Sequence, residues 1–295
     1  MYSELPVEVK KIFVSLFLIP LTIGIFVSCG NDNAHLSSSS QDLLNQKFHV
    51  QNVPLAVGYY HSCAIDKSGV VYCWGRDTLG RTSPPSDLMD AAFVTVSKEQ
   101  SAAIRKDGTP VFWGPSASDL TMAMPKDLGP IRALAIGEGV GCAIVADETV
   151  RCWGPVDEKN NPLLLVPGQL GKVKQLSIYP NLACALKTDQ TFQCWGSPEL
   201  DQTTAVHLAS EVHSPRLLTV GIGFSIVVDT SGHIHKLGQS ANAQLVFDRI
   251  PEDLSSYSFL KAGHSHACGM TFDHKVKCWG FRACNRLDVP SVIAE

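Results

Sequence analysis

The sequence predicts an all-β fold, a β-propeller of six blades, with seven blades (one of them degenerate) as the alternative. Three observations carry that expectation. A Trp-Gly slot returns at Cys73-Trp74-Gly75, Phe112-Trp113-Gly114, Cys152-Trp153-Gly154, Cys194-Trp195-Gly196, Lys236-Leu237-Gly238 and Cys278-Trp279-Gly280, in steps of 39, 40, 42, 42 and 42 residues. A period that regular marks a repeat architecture and outranks any local reading. Each unit also reads as three or four short strands joined by turns, and no stretch sustains a helical period. Finally, cysteines recur in pairs ten residues apart around the middle turn of a unit. Short antiparallel strands repeated at this spacing build propeller blades.

Ahead of the repeats stands a different kind of sequence. Lys10 and Lys11 precede an apolar run from Ile12 to Val27 that contains Pro20 and Gly24. The run is short for a membrane span and right for the core of a signal peptide over residues 1–28. It ends in Phe26-Val27-Ser28-Cys29-Gly30, which resembles a bacterial lipobox through Ser28 and Cys29, with Phe26 where leucine is usual. That resemblance implies a lipidated Cys29 and a membrane anchor; ordinary cleavage or an uncleaved anchor are the alternatives. Glu4 and Glu8 are out of place in such a leader, and translation from near Val9 in place of Met1 accounts for them. Residues 29–46 include the serine run Ser37 to Ser40 and read as a flexible tether. The repeat domain is expected over 47–295.

The first unit sets the frame. Leu55-Ala56-Val57 is a short strand, Gly58 opens a turn through Tyr59 and Tyr60, and His61 to Ile65 is a second strand. Asp66-Lys67-Ser68-Gly69 has the chemistry of a hairpin turn, and Val70 to Trp74 is the returning strand. Later units align on it: Gly58 corresponds to Ser97, Gly137, Tyr179, Gly221 and Gly263. Proline-led tails such as Pro125-Lys126-Asp127-Leu128 close most units. Lys47 to Pro54 reads as the tail of a preceding unit, placed to pair with the last blade and clasp the ring.

The motif Gly-x-x-His-Ser-x-Ala followed by a turn glycine and Trp-Gly resembles RCC1-type repeats. His61-Ser62-Cys63-Ala64 with Trp74-Gly75, and Gly263 to Cys268 with Trp279-Gly280, carry it best. The trailing loop of that repeat survives in part at Asp77 with Gly80-Arg81, at Gln202, at Gln244-Leu245 and at Arg286-Leu287. The resemblance covers about residues 47 to 295. The short unit is similar to bacterial members, among them the propeller-type β-lactamase inhibitor, which implies a propeller but no single function.

Cys63 with Cys73, Cys142 with Cys152, Cys184 with Cys194, and Cys268 with Cys278 sit symmetrically about hairpin turns, which puts each pair opposite one another on adjacent strands. In the second and fifth units both members are missing together, as Ala102 with Phe112 and Ile226 with Lys236. Loss in pairs is what a bond predicts. Zinc fits this spacing poorly. Four structural disulfides are therefore expected, in an oxidising compartment. Cys284 is left over as a free thiol or an intermolecular link.

The formal net charge is −4 with no basic run, so nucleic acid is not expected as a partner. No serine elbow, zinc helix motif or phosphate-cradling loop is present, and no cofactor is expected. Carboxylates such as Asp157, Glu158 and Asp201 read as solvated. The tryptophans read as packing between blades, and His61 and His266 as hydrogen-bonded within their own blades. His233 and His235 share a strand face that can hold a metal only with a further ligand; none is expected there or at His264 and His266. Tyr59 and Tyr60 are the candidate partner-binding residues, because exposed aromatics anchor interfaces. The equivalent turns carry Lys98-Glu99, Glu138-Gly139, Pro180-Asn181, Ile222-Gly223 and His264-Ser265, and the loops 157–165 and 197–214 are further contact candidates. The expected function is a monomeric, lipid-anchored, non-catalytic scaffold in a bacterial cell envelope that binds a protein. The alternatives are an inhibitor of an envelope or secreted enzyme, a secreted form, and an enzyme with a site across blades.

Overall fold

The computed structural model describes residues 49–115, 117–137, 139–155, 161–179, 182–189, 191–196, 215–238 and 240–295. Every described residue belongs to one compact unit, Leu44–Glu295. The expected signal peptide, Cys29, the tether, Asp157, Glu158, Asp201 and the loop 197–214 lie outside the described residues.

Among the described residues, six three-stranded antiparallel sheets follow one another along the chain. They are β1 (Leu55–Val57), β2 (His61–Ile65) and β3 (Val71–Gly75); β4 (Ala91–Val96), β5 (Ser101–Arg105) and β6 (Pro110–Trp113); β7 (Ile131–Ile136), β8 (Gly141–Val145) and β9 (Val150–Trp153); β10 (Val173–Tyr179), β11 (Leu182–Lys187) and β12 (Phe192–Gly196); β13 (Pro215–Gly221), β14 (Phe224–Asp229) and β15 (Ile234–Leu237); and β16 (Tyr257–Ala262), β17 (His266–Thr271) and β18 (Val276–Gly280). Each sheet is a meander whose second strand pairs with both neighbours, so tight turns suffice and no crossover is needed. The first strands of all six blades line one axial channel of about 170 Å³. Its lining carries a single charged side chain, Lys261, whose pKa burial pushes down.

The middle strands are the most buried, with β2, β8 and β17 covered at every position. Ala64, Ala103, Ala143 and Ala185 recur at one register and are fully covered. The hairpin turns are closed by aspartates: Asp66 Oδ1 accepts from the N–H groups of Ser68, Gly69 and Val70 at 2.9 to 3.0 Å. Asp107, Asp147, Asp189 and Asp229 do the same for the backbone two residues on, an Asx turn. The glycine after Trp74 is required by geometry. Gly75 has φ +111°, and a Cβ there would lie 2.6 Å from the Tyr60 carbonyl oxygen and 2.7 Å from His61 Cα.

The cysteine pairs stand directly opposite one another: Cys63 faces Cys73, Cys142 faces Cys152, Cys184 faces Cys194 and Cys268 faces Cys278. Each pair is joined by an S–S bond, with Cα atoms 4.0 to 4.1 Å apart. The same register holds Ala102 against Phe112 and Ile226 against Lys236 in the second and fifth blades. Cys284 is exposed and unbonded.

Blades are joined through the repeated residues themselves. Trp113 Nε1 donates to the Arg81 carbonyl at 3.0 Å, Trp153 to Leu120 at 3.0 Å and Trp195 to Leu163 at 2.9 Å. Each acceptor lies on the segment leaving the preceding blade, Leu120 within a short helix and Leu163 within a 3-10 turn. Trp74 donates to the Arg286 carbonyl at 3.0 Å, which ties the first blade to the last.

Three expectations are corrected. His61 and His266 do not bond within their blades: His61 Nε2 meets Ser101 Oγ of the second blade at 2.7 Å, and His266 Nε2 meets Ser62 Oγ of the first at 3.0 Å. Packed between sheets, an imidazole reaches the neighbouring blade more readily than its own strand, whose polar groups are committed to the ladder. The segment before β1 does not clasp the last blade. Val53 bridges Phe93, and Gln51 N–H donates to the Arg132 carbonyl at 2.7 Å, because Val50 and Val53 pack on the core of the second to fourth blades. The other end of the chain joins the last blade instead, with Ala294 bridging Val276. Helix is also present, as α1 (Ala117–Ala123) and α2 (Ala241–Phe247). Seven residues make about two turns, too few to display a period.

Candidate interaction site

The turn between β1 and β2 is held tight by Gly58 N–H donating to the His61 carbonyl at 2.9 Å. This pushes two half-buried tyrosines to the rim, their ring centres 4.4 Å apart. Tyr59 also lies 4.0 Å from the ring of His264, which belongs to the equivalent turn of the sixth blade. Tyr60 is surrounded by guanidinium groups: Arg76 at 5.3 Å, Arg81 at 5.5 Å and Arg286 at 5.6 Å from the ring centre. Cations over an aromatic face are attracted by its quadrupole, typically by about 0.5 to 2 kcal/mol each.

The three arginines differ in how far they are satisfied. Arg81 has a partner at each nitrogen: Nε donates to the Thr78 carbonyl at 3.1 Å, Nη1 to the Lys98 carbonyl at 3.5 Å, and Nη2 pairs with Glu99 at 2.5 Å. Arg286 fills the same repeat slot, seven residues after its tryptophan. It is 6% exposed and donates from Nη1 to Ser265 Oγ at 2.9 Å, while its buried Nε meets no acceptor. Arg76 is exposed. The nearby imidazoles add no charge at neutral pH. Burial lowers His61 and His266 to about 3, and burial with the neighbouring Arg286 lowers His264.

The His61–Ser101 pair has the distance of a base and nucleophile but not their chemistry. Both side chains are fully buried, and Ser101 Oγ donates to the Arg81 carbonyl at 2.9 Å. His61 Nε2 must therefore be the donor to Ser101, so it offers that hydroxyl no lone pair. With its Nδ1 unpartnered, no third group orients the ring. The pair is a structural link.

The structure brings Tyr59-Tyr60, Lys98-Glu99 and His264-Ser265 together on one face. Glu138, Pro180 and Asn181 fall outside the described residues. The rings of His233 and His235 lie 4.6 Å apart, and His235 Nε2 bonds directly to Asp229 Oδ2 at 3.0 Å. Among the described residues no three His, Cys, Asp or Glu side chains are grouped to hold a metal ion. Sequence reasoning missed Arg76, Arg81 and Arg286 as site residues. The available signal was the slot shared by Arg81 and Arg286 on the blades flanking the tyrosine turn.

Residues 55–81 match the Regulator of chromosome condensation (RCC1) repeat. No curated protein matches the chain. Among solved structures, the ectodomain of the Physcomitrella patens receptor kinase CR4 is similar at 20% identity and a TM-score of 0.53, over 78% of this chain. This chain spans 64% of that ectodomain, less than two thirds of its length. Human WBSCR16 is similar at 15% identity and TM-score 0.54, over 84% of this chain and 80% of that one. Prp20p from Saccharomyces cerevisiae, described with its binding properties to Gsp1p and histones, is similar at 16% identity and TM-score 0.51, over 81% and 74%. Identities this low speak to fold alone: the described chain is a six-bladed β-propeller, in which residues 55–81 match the RCC1 repeat.

Proposed function

We propose that the protein is a non-catalytic interaction scaffold that binds a protein partner through the Tyr59-Tyr60 turn. The observation that carries this reading is the aromatic pair on the rim, flanked by arginines contributed from two loops far apart in sequence. Tyrosine and arginine are the residue types that dominate interface energetics, because each offers a large contact area with polar ends that still find partners. The rigid ring behind them keeps the side chains placed before binding, which lowers the ordering cost. In this reading Cys29 carries a lipid and holds the propeller at a membrane of the bacterial cell envelope. The four disulfides fit an oxidising compartment of that kind. Among the described residues no helix is long and apolar enough to cross a membrane.

The test uses the full chain, produced in an oxidising compartment, as bait for envelope extract beside a Tyr59→Ala, Tyr60→Ala variant. The expected result is a partner retained by the native chain and released at least tenfold more readily by the variant. Equal retention by both would remove the tyrosine turn from the account, and no retention by either would remove the scaffold reading.

A further inference from the structure

We propose that the arginine cluster around Tyr60 is a carboxylate-recognition site, in which an acidic side chain of the partner is received by Arg286 and Arg76. This rests on the interaction reading above and names the chemistry of what binds.

Three guanidinium groups lie within 5.6 Å of one tyrosine ring, and like charges so close repel unless anions stand among them. Glu99 serves Arg81. Among the described residues, neither Arg286 nor Arg76 has a carboxylate partner. Asp77 lies close enough for its charge to act on His61, and its carboxylate accepts the Thr82 N–H at 3.3 Å. Three guanidiniums and the neighbouring Lys98 outnumber the carboxylates of Glu99 and Asp77, and with neutral imidazoles the cluster is net positive.

Geometry points the same way. Arg286 is 6% exposed, yet its Nε is a buried donor without an acceptor. A buried charged donor left open is costly, and it leaves the Arg286 guanidinium short of acceptors. The guanidinium edge suits a carboxylate, which can take two parallel hydrogen bonds. Arg76 is exposed, so it is available to approaching groups and adds attraction from solution. Tyr60 is half-buried among the guanidiniums, and its ring lowers the local dielectric and so strengthens the pairing.

The test measures fluorescence anisotropy of a labelled peptide of alternating Asp and Gly, acetylated and amidated at its ends, titrated with the full chain at low salt. A matched peptide of alternating Asn and Gly is the control. Saturable binding of the Asp peptide, at least tenfold tighter than the Asn peptide and weakened at least fivefold by Arg76→Glu, is the expected result. Arg286→Met should weaken it as much; because Arg286 is buried, its fold is checked by circular dichroism, and the exposed Arg76→Glu variant carries the test if it misfolds. Binding indifferent to both substitutions, or equal for the two peptides, overturns the proposal. So does displacement by inorganic phosphate at lower concentration than acetate, which would make the cluster a phosphate site. A captured envelope partner that depends on Tyr59 and Tyr60 but ignores Arg76→Glu would leave the scaffold reading standing and remove this one. Asp-peptide binding without any captured partner would do the reverse.

Discussion

The indole N–H of Trp74, Trp113, Trp153 and Trp195 adds to the packing of the ring by filling a carbonyl of the preceding blade's exit segment, whereas that of Trp279 is buried without an acceptor. Trp195→Phe keeps most of the buried ring but removes the indole donor to the Leu163 carbonyl. We expect a loss of about 1 to 2 kcal/mol in urea unfolding; an unchanged midpoint would mean that the indole bond contributes nothing net. The buried histidines make a different prediction, about pH. Their folded pKa values near 3 lie below the ordinary 6.5, so between those limits the unfolded chain binds protons that the folded chain refuses. Their contribution is therefore complete above about pH 6.5 and is lost as pH falls towards 3, by up to about 1.4 kcal/mol per pH unit for each histidine. In the His61→Gln, His266→Gln variant the slope of stability against pH should flatten between about pH 6 and pH 4. An identical slope in both proteins would show that other groups govern the acid transition.

At the scale of the element, the hairpin between the second and third strands is the best-determined unit. Its register follows from an aspartate or glycine at the turn and from the slot pattern on either side, all within about fifteen residues of sequence. That locality is why strands such as His61–Ile65, and the facing cysteines, are legible in the amino-acid sequence alone. The expected gain from each bond is about 2 to 3 kcal/mol for a loop of this length. Cys142→Ala with Cys152→Ala should lose that amount in unfolding experiments and keep the blade, since the second blade holds the same register with Ala102 against Phe112. Alkylation of the unfolded, unreduced chain should label Cys284 while sparing the eight paired cysteines; label on any of the eight would dissolve that bond. The partners of His61 and His266 are not legible in this way, because a hydrogen bond from one blade to the next leaves no mark in local periodicity. The same holds for Val50 and Val53, whose apolar character is visible but whose choice of the second to fourth blades is set by the space open in the assembled core.

At the scale of the whole molecule, the ring places the site. Arg76 is set beside Tyr60 by the hairpin of its own blade, its N–H donating to the Tyr60 carbonyl at 3.0 Å, and the joining of first and last blades through Trp74 and His266 brings Arg286 there from the other end of the sequence. Sequence could propose Tyr59 and Tyr60 as exceptions to the repeat, but that Arg286 joins Arg76 and Arg81 around Tyr60 follows from the meeting of first and last blades. The channel offers an independent check on the ring. Lys261 faces it with burial as the cause of its lowered pKa, so Lys261→Met should raise the melting temperature by about 2 to 4 °C, the shift expected for about 1 kcal/mol in a domain of this size. A lower melting temperature would indicate that the ammonium group has a stabilising partner. The central claim, that the protein binds through the face carrying the Tyr59-Tyr60 turn, is met most directly by hydrogen–deuterium exchange on the full chain with and without its captured partner. The account predicts slowed exchange over residues 58–62, 76–82 and 263–266, with the hairpin turns at Asp66, Asp107 and Asp229 unchanged. Protection centred on those hairpin turns, with the tyrosine turn exchanging as in the free protein, would contradict it.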